Sequence, residues 1–349
     1  MSNDSNHDRG SQRADSFPMP VCQQNAAGQE RRCGVEIEFI GFGSIDEIVA
    51  VVREVVGGEV AESSTWHARL TTPTYGDFGV ELDFSYLKRQ GEREVAGADQ
   101  LDRSSLEARA NAIFNDVVDA VARTVVPWEV VAPPLPLSQL STLDAVVTAL
   151  REAGARGTNH SPAYAFGVHF NPELPALDAD TIRRHLQAFM CLREWLRDAG
   201  GIDLTRRITP YIDDFPSDYA LRITAADYRP DLATLISDYL SANPTRNRAL
   251  DMLPLFAHLD EELVRRAVDD DRVNARPTFH YRLPNCEIDD PNWALAAPWA
   301  DWCKVEALAA DTDLLAATCR AYREDAERLT AALDNRWLEH CRELVARLP

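Results

Sequence analysis

The sequence predicts an α+β protein in which a curved, mainly antiparallel sheet carries helices on one face. One observation is a hexapeptide pattern that occurs twice, as GVEIEF at 34–39 and GVELDF at 79–84. Its alternation of apolar and acidic residues has the period of a strand with one buried face. The other observation is that helical patterns dominate the C-terminal half without a regular β-α-β alternation. Both features are typical of an antiparallel sheet with helices against one side.

The first hexapeptide is expected to begin the globular part of the chain. Residues 1–30 are polar and without periodicity, so we expect a disordered leader followed by a single catalytic domain over 31–349. After the first strand, Gly41-Phe42-Gly43 predicts a turn into a helix. Ser44 and Glu47 form a capping box for that helix, and Gly57-Gly58 predicts its end.

The middle of the chain alternates between strand and helix signals. Strands and loops are expected over 59–87, a loop over 89–103, and a helix from a second capping box at Ser104 to about residue 125. A short strand at 127–131 is expected to close at Pro133-Pro134. A helix over roughly 138–153 and an alternating strand over 164–171 follow.

The C-terminal half is predicted to be mainly helical. An amphipathic helix covers 180–198 and ends at Gly200-Gly201. Short helices and loops are expected from 203 to 275, and one more strand over 277–283. Helices fill the remainder, the last predicted from about 313 to 348.

Composition excludes several classes of function. The chain of 349 residues has 56 acidic and 36 basic residues, a net charge of −20, so a general nucleic-acid or anionic-membrane surface is not expected. Its seven cysteines form no C-x-x-C pair and no apolar run is long enough to span a membrane, which predicts reduced thiols and a cytoplasmic protein. Lysine occurs only at Lys88 and Lys304, so there is no Gly-Lys-Ser/Thr phosphate loop.

Five predicted strands place polar side chains on what would be one shared face. Crowded carboxylates are unfavourable unless cations or protons compensate, and hard divalent cations prefer oxygen ligands. A single acidic strand is usually only a solvated face, but two copies of one motif favour a metal site that also handles phosphate. The residues are Glu36, Glu38, Glu81, Asp83, Glu129, His169, Asn171, His280 and Arg282.

These motifs, in this order, resemble the amidoligase family. The resemblance rests on Gly-Val-Glu-Ile-Glu-Phe at 34–39, the acidic strand at 79–84, Glu129 ahead of Ala132-Pro133-Pro134, and Gly-Val-His-Phe-Asn at 167–171. Arg282 matches the position of a phosphate-binding arginine, and the segment 243–248 (NPTRNR) also looks like part of close relatives. The family consists of carboxylate–amine ligases related to glutamate–cysteine ligase and glutamine synthetase.

The resemblance implies a glutamine-synthetase-like fold with ATP and Mg²⁺ (or Mn²⁺) on the concave face of the sheet. ATP would phosphorylate a substrate carboxylate, and an amine would displace the phosphate to leave an amide. The substrates would be small molecules, amino acids or peptide-like compounds, with no nucleic acid and no membrane involved, and an oligomer is left open.

The resemblance also implies roles for individual residues of this chain. Metal ligands would be Glu36, Glu38, Glu81, Asp83 and Glu129. Catalysis would depend on Arg282 and His169, and nucleotide binding on His169, Asn171, His280 and Arg282. Arg246 and Arg248 would bind substrate.

One departure from the family pattern leaves alternatives open. Many relatives have a glutamate two residues before the late-strand arginine, where this chain has His280. A non-catalytic nucleotide- or partner-binding protein with a degenerate ligase fold is therefore one alternative. Another is a different metal-dependent hydrolase or phosphotransferase that uses the same carboxylate surface.

Overall fold

Six antiparallel strands form one open sheet in the order β2-β3-β4-β5-β1-β6. The computed structural model describes residues 17–82, 126–158, 166–202, 212–270, 272–328 and 334–349. The strands are β1 (Arg32–Phe39), β2 (Glu59–Ser63), β3 (His67–Thr72), β4 (Gly76–Leu82), β5 (Trp128–Pro136) and β6 (Val168–Pro172).

Ten α-helices lie within the described residues, which with the sheet confirms the α+β class. The predicted helices at 138–153 and 180–198 are confirmed as α2 and α3. The helices are α1 (Ile45–Val56), α2 (Ser141–Glu152), α3 (Ala179–Ala199), α4 (Ser217–Ile223), α5 (Leu232–Ala242), α6 (Leu253–Leu259), α7 (Glu261–Ala267), α8 (Ala296–Ala310), α9 (Thr312–Ala326) and α10 (Arg336–Val345).

The apolar face of the sheet is covered by helices. Val35, Ile37 and Phe39 alternate along β1 and are buried in the core. Helix α1 packs on β3, β4 and α2. At the other edge, the ring of Phe170 in β6 lies 5.6 Å from that of Trp299 in α8. The opposite face is thereby left for the polar side chains.

The cap signals of α1 are confirmed. Ser44 accepts a hydrogen bond from the backbone N–H of Glu47, and the helix ends at Gly57. The Glu47 side chain completes the cap by accepting from the N–H of Gly43 at 3.1 Å.

Strand β5 does not close at Pro133-Pro134, as the sequence predicted, but continues to Pro136. Its pairing with β4 ends at Gly79↔Val131, whereas its pairing with β1 continues to Arg32↔Pro136. Beyond Val131 the strand therefore has a partner on one side only. Prolines are tolerated in such an edge position because the missing N–H costs no ladder bond.

The segment 277–283 is not a continuous strand, contrary to the sequence prediction. It runs beside β6 through the isolated bridges Glu173↔Thr278 and Phe170↔Tyr281. The N–H of Phe279 donates to the carbonyl of Pro172, but Pro172 has no N–H to return the bond. The ladder is interrupted for this reason.

The predicted long helix at 313–348 is instead two helices, α9 and α10. The Arg328 side chain pairs with both Asp325 and Asp334. In one straight helix those two acids would lie roughly 13.5 Å apart along the axis. Helix α10 packs on α3, where the Trp337 indole N–H donates to the carbonyl of Cys191 at 3.0 Å.

The end of the predicted leader is in contact with the helices. Phe17 stacks near Trp299 with ring centroids 6.2 Å apart, and the Trp299 indole N–H donates to the carbonyl of Pro18 at 2.7 Å. Phe17 and Pro18 thus pack against α8, while residues 1–16 lie outside the described part. The predicted loop at 89–103 and helix at 104–125 also lie outside it. Among the described helices, we find none with the length and apolar character needed to cross a membrane.

Candidate active site

Three carboxylates lie in a row across the polar face of the sheet. Glu38 of β1 is the register partner of Glu129 of β5, which is in turn the partner of Glu81 of β4. Directly opposed residues of antiparallel strands have Cβ atoms about 4.5–5.5 Å apart on the same face. The repeated acidic motif therefore places its two copies on either side of Glu129 in one sheet.

His169 extends this row onto β6. Its strand partner is Glu36, and the ring Nδ1 lies 2.8 Å from Glu36 Oε2. An ionised carboxylate only accepts, so Nδ1 donates, and in the neutral ring Nε2 keeps its lone pair. Nε2 lies 3.7 Å from Glu38 Oε1. A carboxylate that orients a histidine in this way is typical of metal sites.

Glu38, Glu129 and His169 form a candidate metal site. One ligand atom from each of the three lies within 4.8 Å of the others. Two carboxylates and an imidazole fit a divalent cation, with Mg²⁺ or Mn²⁺ favoured by the oxygen ligands. Glu38 is itself held in place, since the N–H of Gly167 donates to its Oε2 at 2.7 Å.

Gly167 keeps the space beside His169 open. A Cβ at this position would lie 3.0 Å from His169 Nε2 and 3.6 Å from Glu38 Oε2. The Gly-x-His motif thus has a steric reason: only glycine leaves the lone pair of Nε2 accessible.

Glu36 is occupied by protein contacts. Besides His169, it accepts from the Asn171 side-chain amide at 3.1 Å, and the Arg276 guanidinium lies 3.7 Å away. Burial opposes its ionisation, but the hydrogen bond from His169 and the positive charge of Arg276 hold the pKa of Glu36 well below its usual range. Glu36, His169 and His280 also bring ligand atoms within 4.8 Å of one another.

His280 lies in this network as a neutral ring. Burial lowers its pKa well below the usual value. Asn171 turns its amide nitrogen to Glu36, so its oxygen faces His280 and accepts from Nδ1 at 2.8 Å. His280 therefore also keeps its lone pair on Nε2, and its ring lies 5.3 Å from that of His169.

Arginines gather at the β6 side of the carboxylates. Arg276 lies 3.7 Å from Glu36 and close to the His280 ring, whose Nδ1 donates to Asn171 and so does not accept from the guanidinium. Arg282 donates to the carbonyl of Arg246 at 2.5 Å, and Arg246 Nε lies 3.8 Å from Asp251 Oδ2. The Nε atoms of Arg246 and Arg276 are buried and make no hydrogen bond within the described residues. Buried guanidinium donors of this kind suit an anionic ligand.

The comparison with known families adds the decisive observation. A family model described as "Putative amidoligase enzyme" matches residues 29–304. The chain belongs to this amidoligase family. The matched span runs from just before β1 into α8 and includes every described residue of the site. No similar protein was found among curated proteins or among solved structures.

Membership in the amidoligase family implies an amide-forming ligase acting on small molecules. The structure brings together most of the residues that the sequence singled out. Arg248 lies slightly apart: it donates to Asn243 Oδ1 at 2.8 Å and covers the ring of Phe215 at 5.5 Å. The substrate-binding role of Arg246 and Arg248 stays a prediction, and Asp83 lies outside the described residues.

The roles of three residues of the amidoligase site were not predicted from the sequence. Gly167 was named as part of the motif at 167–171, but no role was assigned to it. Arg276, four residues before His280, carried no pattern of its own. Asp251 carried none either, and its fully buried carboxylate is visible only in the structure.

Proposed function

We propose that the protein is an ATP-dependent carboxylate–amine ligase that forms an amide through an acyl-phosphate intermediate. The observation that carries this proposal is the meeting of a carboxylate row with an arginine cluster at β6, in a member of the amidoligase family. One side of that arrangement suits divalent cations and the other suits phosphate. Both are needed to bind a nucleoside triphosphate and stabilise phosphoryl transfer.

We propose Glu38, Glu129 and His169 as the residues that would hold Mg²⁺ or Mn²⁺, with Glu81 at the far end of the row. When bound, the cation supplies charge neutralisation for triphosphate oxygens. Glu36 then acts mainly by orienting His169 and, through Asn171, His280. This division refines the sequence-based ligand set, in which Glu36 ranked with the direct ligands.

The arginines would serve the anionic side of the reaction. A substrate carboxylate oxygen attacks the γ-phosphorus of ATP and ADP leaves, and an amine then attacks the acyl carbon and phosphate leaves. Arg276 and Arg282 would offset charge on the transferred phosphoryl group. The antiparallel sheet with one polar face is also consistent with a glutamine-synthetase-like catalytic fold, which we include in the proposal.

Product analysis with the full-length protein tests the reaction. ATP, Mg²⁺ and a panel of amino acids and small amines are expected to yield ADP and an amide only when acid and amine are both present. ATP binding without ADP formation across the panel would instead indicate a non-catalytic nucleotide-binding protein. Phosphate release without a conjugate would indicate a hydrolase.

Two variants test the metal site directly. Glu129→Gln removes a ligand charge, and Gly167→Ala places a methyl group 3.0 Å from His169 Nε2. We expect each to weaken Mn²⁺ binding, measured by titration calorimetry, by roughly 10- to 100-fold. Gly79→Ala is the matched control, because its Cβ would meet Val131 at an ordinary 3.5 Å. Unchanged Mn²⁺ affinity in both variants would overturn the site assignment.

A further inference from the structure

A second, arginine-rich cavity lies among the helices, away from the carboxylate row. It has a volume of about 560 Å³ and is bounded by α3, α9 and the turn that follows α4. That volume is within the range of small-molecule sites. Five arginines and three carboxylates line it, in a chain whose net charge is −20. The arginines are Arg183, Arg184, Arg229, Arg320 and Arg323.

The positive charge of this cavity is poorly neutralised by the protein. Arg183 and Arg184 share the single carboxylate of Asp180. Arg323 and Arg229 donate to backbone carbonyls, which carry no charge. Arg320 makes no hydrogen bond or ion pair within the described residues. The other two acids, Glu324 and Glu327, are exposed and pair with none of these arginines in the described part of the chain.

The remaining walls are partly apolar. Leu315 and Ala316 supply an apolar surface, while the side chains of Thr224 and Gln187 are already hydrogen-bonded within the protein. Thr312, the first residue of α9, also lines the cavity. The arginines are therefore the groups that a polar ligand would meet.

Cys319 in the cavity wall lies close to three of these arginines. The Cys191 thiol 3.9 Å away lowers the pKa of Cys319, and Arg183, Arg229 and Arg320 lower it further. These arginines therefore act together on one point in the wall, as they would on a bound anion.

We propose that this cavity is a second ligand site, which binds a small phosphate-bearing molecule. Planar guanidinium groups match phosphate oxygens in pairs, and the two arginines with the least protein pairing, Arg229 and Arg320, would make the added contacts. The proposal is independent of the ligase reaction, because none of the cavity residues belongs to the sheet face. Occupancy would link α3, α4 and α9 through one anion.

Inorganic phosphate is the probe for this site. Calorimetry on the full-length protein, at constant ionic strength and with EDTA to remove cations, is expected to show one saturable phosphate site. The double variant Arg229→Gln/Arg320→Gln should weaken its affinity by roughly tenfold or more, since each lost contact is charge-assisted. Arg266→Gln on α7 is the control for general loss of charge, because that exposed arginine pairs only locally with Glu262.

A second pair of variants separates charge from shape. Ala316→Glu places a carboxylate in the cavity, and Ala316→Gln is nearly the same size without the charge. We expect Ala316→Glu to bind phosphate at least tenfold more weakly than Ala316→Gln. Absence of saturable binding, or equal affinity in this pair, would overturn the proposal. Binding that is lost in Arg282→Gln yet retained in Ala316→Glu would assign phosphate to the sheet face and overturn it as well.

Discussion

At the scale of single residues, Asp251 shows how the arginine cluster is held. Its side chain is fully buried, and one carboxylate oxygen accepts from the N–H of Leu253 at 3.0 Å. Burial raises the pKa of Asp251 to about 6 even though Arg282 and Arg246 oppose the shift. The carboxyl therefore changes charge near neutral pH, in contact with a guanidinium of the site.

This raised pKa makes stability depend on pH. An acid whose folded-state pKa lies above its unfolded value stabilises the fold at low pH, and that contribution is lost as pH rises through the folded pKa. Asp251→Asn removes the dependence. Relative to the wild type, we expect the unfolding free energy of Asp251→Asn to increase by about 2 kcal/mol between pH 4 and 7.

Urea denaturation at a series of pH values measures this difference. Asp260→Asn is a suitable comparison, because Asp260 caps α7 at a more exposed position. If the unfolding free energies of the wild type and Asp251→Asn changed equally with pH, the raised pKa of Asp251 would be contradicted.

The sequence predicted correctly which side chains share a face of a strand, but it did not predict their contacts with neighbouring strands. Alternation placed Glu36 and Glu38 on one face of β1, which the structure confirms. Alternation could not predict which groups surround Glu36 and Glu38, because these neighbours lie in β6 or just before it, some 130 positions away in the chain. Glu36 meets His169, Asn171 and Arg276, whereas Glu38 meets the N–H of Gly167.

At the scale of elements, the turn before α1 and the turn after α2 lie in close contact. Ile40 and Arg156 exchange two backbone hydrogen bonds of 2.8 and 2.9 Å. Next to them, Gly41 has a φ of +115°, and a Cβ there would lie 2.5 Å from the carbonyl oxygen of Gly154. The approach of these two turns fixes how α1 and α2 sit against each other.

Gly41→Ala should therefore destabilise the fold through both strain and contact. We expect a loss of about 2–4 kcal/mol in unfolding free energy, since backbone atoms rather than a flexible side chain must move. Gly28→Ala is the matched control: it also has a positive φ, of +73°, but its Cβ would meet nothing within 4 Å. It should cost only about 1 kcal/mol. Equal losses in thermal or urea unfolding would show that the contact does not matter.

Where the sequence predicted helices and strands wrongly, the cause was backbone pairing between strands rather than the local propensity of the residues. The helices α1 and α3 were predicted well, because their caps and apolar stripes are local features. The segment 277–283 has the alternation of a strand, yet its pairing fails at Pro172 on the neighbouring strand. Likewise, Pro133-Pro134 would end a strand that is paired with a neighbour on both sides. At that point β5 is no longer paired with β4, so the strand continues.

At the scale of the whole molecule, one buried ion pair joins the start of the sheet to the C-terminal helices. Arg31, just before β1, contacts both carboxylate oxygens of Glu306 in α8 at 2.7 Å, and both side chains are at most 1% exposed. Arg31 also donates to the carbonyls of Cys22 and Glu173. The pair thereby connects the N-terminal segment, the sheet and α8.

Removing the charge of Glu306 should leave a buried, uncompensated guanidinium. We expect Glu306→Gln, which keeps the side-chain shape, to lower the unfolding free energy by about 3–5 kcal/mol. The double variant Arg31→Met/Glu306→Leu should lose less than the sum of its single variants, because no charge is then stranded. Glu59→Ala, which breaks the exposed pair with Arg53, should have no measurable effect in the same urea titration. If the double variant lost as much unfolding free energy as its two single variants together, the coupling between Arg31 and Glu306 would be contradicted.

The interrupted pairing at Pro172 gives the two sides of the polar face different supports. Glu38, Glu129 and Glu81 lie on strands joined by continuous ladders, whereas His280 and Arg282 lie on a segment that meets β6 only at isolated bridges. On its other side this segment is held by backbone hydrogen bonds that join Arg282 to Ala249 and His280 to Asp251. The position of the carboxylates is thus set by the sheet, and that of His280 and Arg282 also by residues 249–251. Any displacement of residues 249–251 would shift the histidine and the arginine together, relative to a carboxylate row that stays in place.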